Sequence, residues 1–209
     1  MQDQLFETIR LGVAAGALFG AQWLWKQAIR RFSFLQKDIK AQLEKDIRRQ
    51  VEIDRRISAE LELLIGKFGF NRTSICYFHN GVTGFNGISF KNISMRYEAT
   101  DAKTKEILND YRAIPISSLN GLLTEIKDAP ARMAETNDIN GHVAALHTQF
   151  AVKQSYIFMI GDDLVDGLLM CDYTDEPKEL APADIASIKG SAARINAQSK
   201  IANLNLQKK

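Results

Sequence analysis

The chain of 209 residues is poor in the groups that usually declare a protein's chemistry. It has two cysteines, Cys76 and Cys171, too few for a disulfide framework. Cys76 and His79 form a Cys-x-x-His pair, but no second pair stands at ligand spacing, and on a strand these two positions point to opposite faces. His142 and His147, five apart, share no helix face. There is no nucleophile elbow, phosphate loop or zinc pattern, so the expectation is a protein that is not an enzyme, with no metal and no cofactor. Net charge is only +2, which gives no electrostatic case for nucleic acid. Hydrophobic content of 45% suffices for a core and is too low for a multi-span membrane protein.

Long apolar runs are also missing, with one exception. Leu11–Trp25 is uncharged, bracketed by Arg10 and Lys26, and holds Gly12, Gly16 and Gly20 on one helical ridge. Each internal glycine costs a soluble helix roughly 1 kcal/mol against alanine. A small-residue ridge offsets that cost when helices associate closely in lipid, which makes the three glycines candidate oligomerisation residues. As a helix the stretch spans about 22 Å, short of the roughly 30 Å hydrocarbon core. Trp23 and Trp25 stand at its end, where interfacial aromatics belong. The reading is a single-pass anchor that needs snorkelling flanks, a thinned bilayer or partner copies. An interfacial helix and a soluble helix packed on a partner are the alternatives. Lys26, Arg30, Arg31, Lys37 and Lys40 follow the stretch and place the body of the chain in the cytoplasm, below an inner membrane.

The order of elements divides the chain into an anchor (1–29), a charged connecting helix (30–68) and a globular domain (69–209). From Phe34 to Phe68 there is no proline, and Leu35, Ile39, Leu43, Ile47 and Val51 recur every four residues, which is not a heptad. Arg72–His79 reads as a strand, Asn80–Gly87 as a glycine- and asparagine-rich connection, and Ile88–Tyr97 as a second strand. Helices are expected at Lys103–Arg112 and near Ser117–Ile126; Val143–Phe150 is a strand or a short helix. Gln154–Ile160 and Leu164–Tyr173 form a hairpin about Gly161-Asp162-Asp163. Pro177 and Pro182 precede a terminal helix from Ala183 to Leu206, with a packing face of Ile185, Ile188, Ala192 and Ile195.

The strand Ser155-Tyr156-Ile157-Phe158-Met159-Ile160, a turn, and Gly167-Leu168-Leu169-Met170 resemble the closing hairpin of GAF domains, and the likeness extends over Leu61–Leu206. It implies an α+β fold, an antiparallel sheet flanked by helices, with a small-molecule cavity between the sheet and the middle segment. Candidate ligand-binding residues are then Phe78, His79, Asn80, Phe85, Ser89, Phe90, Tyr97 and Tyr156, with Met95, Leu119, Leu122 and Phe158 as further lining. The alternative for each is an ordinary core position. It also implies neighbouring first and last strands, which would bring Cys76 and Cys171 close. The whole layout, with Asp166–Asn196 the most similar part, resembles the T-type holins of T4-like phages. Tyr77-Phe78-His79-Asn80-Gly81 is similar to a signature of phage-borne relatives of this fold. In those holins the domain lies outside the cytoplasm and the span is longer. Three functions remain open: a membrane-anchored sensory or regulatory protein, homodimeric or of higher order, with an unidentified small-molecule ligand; a holin-like pore former; and a soluble assembly protein.

Overall fold

The computed structural model describes residues 2–79, 92–119, 122–123, 126, 131–135, 142–161 and 165–206. The long proline-free stretch forms one helix, α1 (Gln2–Phe68), which covers both the expected anchor and the connecting helix. It stops at Gly69, whose φ of +73° reverses the chain while its N–H caps the Ile65 carbonyl at 2.8 Å. No helix among the described residues is long and apolar enough to cross a membrane. The reading of Leu11–Trp25 as a span gains no support from this, since charges at Arg10 and Lys26 close the apolar run at 15 residues.

The chain falls into two compact units, 1–51 and 52–209. The first is helical. In the second, six strands make one antiparallel sheet: β1 (Arg72–His79), β2 (Asn92–Thr100), β3 (Ile114–Pro115), β4 (Ala131–Glu135), β5 (Gln154–Gly161) and β6 (Val165–Tyr173). Their order is β3-β2-β1-β6-β5-β4, so β1 and β6 are central. Among the described residues, two further helices have complete bounds, α2 (His142–Gln149) and α3 (Pro182–Leu206).

Both faces of the sheet are covered. On one, the 3.6-residue stripe Ile53, Ile57, Leu61 and Leu64 of α1 and the stripe Ile188, Ala192 and Ile195 of α3 close over Ile75, Phe158, Leu169 and Cys171. Arg194 of α3 clasps Glu60 of α1 through two hydrogen bonds of 2.9 and 3.0 Å. On the other, residues 103–119 and α2 cover Cys76, Met95, Ile157, Leu168 and Met170. Gly167 lets the two central strands approach: a Cβ there would lie 2.2 Å from the Cys76 carbonyl oxygen.

Strand β1, the β5–β6 hairpin and α3 lie where the sequence puts them. The second strand is described over Asn92–Thr100, and Ile88–Lys91 lies outside the described residues. The helix expected at Lys103–Arg112 is absent. Glu98 takes the amides of Ile107 and Leu108 at 2.8–2.9 Å, and Asp101 takes those of Lys103 and Thr104 at 3.0 and 2.8 Å. Side-chain acceptors thus replace the carbonyls that a helix would offer. Near Ser117 the described residues form a 3-10 turn, Ile116–Leu119, and residues 122, 123 and 126 are helical, in keeping with the helix expected there; Val143–Phe150 is mostly α2. β1 and β6 do pair, but Cys76 stands opposite Leu168, three residues from Cys171. An odd offset puts the two thiols on opposite faces, both buried and free, so the expected proximity fails.

Candidate functional site

Strand alternation sends Thr73, Ile75 and Tyr77 of β1 toward the helices, and Arg72, Ser74, Cys76 and Phe78 toward the middle segment. The second face therefore receives a charge. Arg72 is fully buried. Its Nη2 donates to the Lys105 carbonyl at 2.7 Å. Its Nε lies 3.0 Å from Glu98 Oε1 and its Nη1 3.5 Å from Asp172 Oδ2, within ion-pair range but off hydrogen-bond alignment. Both carboxylates are as buried as the guanidinium. Asp172 also accepts the Ser155 hydroxyl at 2.5 Å. Two acids face one base, and burial pushes the Glu98 carboxyl above its ordinary range even though two backbone amides and Arg72 oppose that shift.

Around this group stand polar atoms with no partner among the described residues: Ser74 Oγ, Tyr111 OH, and both ring nitrogens of His147. Their residues are at most 2% exposed. Tyr111 packs in the core cluster of this face, and the charges of Arg72 and Asp172 act on both Tyr111 and His147. Burial drives the His147 pKa down, partly offset by Asp172 and reinforced by Arg72, so the ring is held neutral. Burial likewise raises the Tyr111 phenol. A buried polar group left unmet costs about 1–3 kcal/mol. Three such side chains on one side of the sheet are unmet polar groups that call for an explanation. Among the described residues no group of three or more His, Cys, Asp or Glu is placed for a metal ion.

The residues expected to line a cavity separate onto the two faces. Phe78, Met95, Leu119 and Leu122 lie on the face with Arg72. Tyr97, Tyr156 and Phe158 lie on the helix face, a correction that follows from alternation and from the irregularity between Ile75 and Cys76 in the β1–β2 register. Tyr97 donates to Asp54 at 2.5 Å, and Tyr156 donates to the Lys178 carbonyl at 3.0 Å. These hydroxyls are committed to holding α1 and the segment before α3. His79 is hydrogen-bonded to Ser94 Oγ at 2.8 Å, which also accepts the Ala113 amide at 2.7 Å. Asn80, Phe85, Ser89 and Phe90 lie outside the described residues. Gly12, Gly16 and Gly20 lie within α1. Two grooves open on the helix face, about 290 Å³ beside β5 and α3 and about 400 Å³ between α1 and α3; neither contains a member of the buried cluster.

Sequence reasoning missed Arg72, Ser74, Glu98, Tyr111 and Asp172, and weighed His147 only against His142. A signal existed: Arg72 and Asp172 are charges at the ends of the apolar stretches Ile75–Phe78 and Gly167–Cys171, where a buried charge needs a partner.

The fold has known counterparts. The GAF domain of PixJ from Thermosynechococcus elongatus, in its blue-light absorbing form, is 12% identical, with a TM-score of 0.57, over 76% of this chain and 92% of that one. A phycocyanobilin-bound GAF domain from a cyanobacterial phytochrome is 15% identical, with a TM-score of 0.56, over 77% and 90%. A GAF domain/HD domain protein from Geobacter sulfurreducens is 13% identical, with a TM-score of 0.54, over 73% and 94%. The chain has a GAF fold. No protein family and no curated protein matches the sequence. The GAF-like sheet inferred from the closing hairpin is thus upheld, and the likeness to holins gains no support.

Proposed function

We propose that the chain is a non-enzymatic sensory or regulatory module that takes up a small polar molecule on the sheet face covered by the middle segment. The observation that carries this reading is the set of unpartnered, buried polar atoms of Ser74, Tyr111 and His147 around the Arg72–Glu98–Asp172 group. The fold supports it, since one of the neighbours is a GAF domain bound to phycocyanobilin. Occupancy would act on the segment that Arg72 and Glu98 tie down through the backbone of Lys105, Ile107 and Leu108. A ligand that competes for either side chain would loosen that segment, and differential affinity for the tied and released forms is what a sensor requires. A membrane-spanning anchor is left out of the proposal, and with it the pore-forming alternative, because the only apolar run is too short.

The test is native mass spectrometry of the full chain purified under mild conditions, alongside thermal melts with phycocyanobilin and with a panel of small polar metabolites. A retained or stabilising molecule is expected, and its effect should vanish in Ser74→Val with His147→Leu. A molecule that binds the double variant as well as the parent, or no molecule in either experiment, would overturn the reading.

A further inference from the structure

The unit comprising residues 1–51 carries an apolar row with nothing on it among the described residues. Ile29, Phe32, Ile39, Leu43, Ile47 and Val51 are each between 52% and 66% exposed. At 100° per residue they fall within an arc of about 120° over about 33 Å of helix, an arc that also holds Gln36, Lys40 and Gln50. Their steps are three, seven, four, four and four: a heptad as far as Leu43, then four-residue steps that unwind the supercoil locally. A monomer seldom leaves so long an apolar stripe in water.

We propose that this row is the seam of a homodimer, covered by α1 of a second copy. Two observations choose that occupant. The charges bordering the row between Ile39 and Val51 are of mixed sign, Glu44 and Asp46 with Lys37 and Lys40. An anionic lipid surface favours a flank that is basic throughout, whereas a helix of the same sequence offers both signs to both signs. The area also suffices: six large side chains covering roughly 100 Å² each give about 1,200 Å² over both copies, the lower end of specific interfaces. Arg48, bonded to Glu44 at 2.6 Å, stays on the side away from Ile39 and is free of the seam. The proposal stands independently of ligand binding, because every residue in it precedes the sheet.

The test is the solution mass of the full chain by sedimentation velocity. The parent is expected at twice its 23.5 kDa. Leu43→Asp with Ile47→Asp should bring it to single-chain mass, weakening association by about 100-fold or more. Arg48→Asp should leave the dimer in place. All three positions are exposed, so near-ultraviolet circular dichroism of the folded unit should be unchanged and separates loss of pairing from misfolding. A parent of single-chain mass, a double variant that stays dimeric, or a monomeric parent that floats with phosphatidylglycerol vesicles through Leu43 and Ile47 would overturn the proposal.

Discussion

The two faces of the sheet bury their residues by opposite means. The helix face is an apolar seam, in which α1 and α3 lay aliphatic stripes over Ile75, Phe158 and Leu169, and its tyrosines find carbonyl or carboxylate partners. The opposite face buries Arg72, Glu98 and Asp172 at its centre and leaves Ser74, Tyr111 and His147 unmet. Apolar burial adds stability in proportion to area. A buried ion group with an odd charge does not, because desolvation consumes most of its Coulombic gain. One face is therefore built for stability, and the other holds a polar centre at a cost that stability alone does not justify.

The largest test breaks the polar face at its one base. Arg72→Met leaves two buried acids uncompensated and frees the Lys105 carbonyl, with an expected loss of about 3–5 kcal/mol in urea denaturation. A loss below 1 kcal/mol would mean the acids were already protonated or solvated. Next comes the helix face: Leu61→Ala opens a cavity between α1 and the sheet and should cost about 3 kcal/mol, the same at pH 5 as at pH 7.

A pH series then separates the faces. The His147 pKa is lowered by folding, so its contribution is present above the unfolded value of 6.5 and is lost as pH falls below it. Glu98 is raised, so its contribution is present below 4.5 and is lost as pH rises through the folded value. The two oppose each other between the unfolded values of 4.5 and 6.5. Relative to the parent, His147→Gln should lose less stability on acidification and Glu98→Gln should lose less on the return to neutrality. Parallel pH curves for the parent and both variants would show that these groups titrate as in the unfolded chain.

The helix face was readable from sequence because it obeys simple periods. Ile57, Leu61 and Leu64 repeat at helical spacing, and Gly167-Leu168-Leu169-Met170 announces a strand whose glycine is required by the Cys76 carbonyl. The polar face was not readable, because its members come from five places that no local spacing joins: β1, β2, the stretch holding Tyr111, α2 and β6. The same long-range pairing defeated the expected helix at Lys103–Arg112, since the acceptor that unmakes it, Glu98, belongs to β2. Aromatic content pointed to Tyr97 and Tyr156 as pocket lining, yet one register irregularity in the β1–β2 pair and the two-residue alternation put both on the helix side.

The smallest expected effect is the most discriminating. Tyr111→Phe removes a hydroxyl that has no partner and keeps the ring that packs beside Ile107, Ile114 and Leu119. With the site empty, the variant should be as stable as the parent or more stable by about 1 kcal/mol, since an unmet buried group is lost at no expense to packing. With a guest hydrogen-bonded to that hydroxyl, the sign reverses and the variant should be less stable by about 1 kcal/mol. Melting the same preparation before and after exhaustive denaturation, washing and refolding therefore reads occupancy directly. A sign change on refolding locates the guest on the polar face, while a loss of about 1 kcal/mol that survives refolding would show that the hydroxyl is met by the protein or by water and that the two faces differ less than their geometry implies.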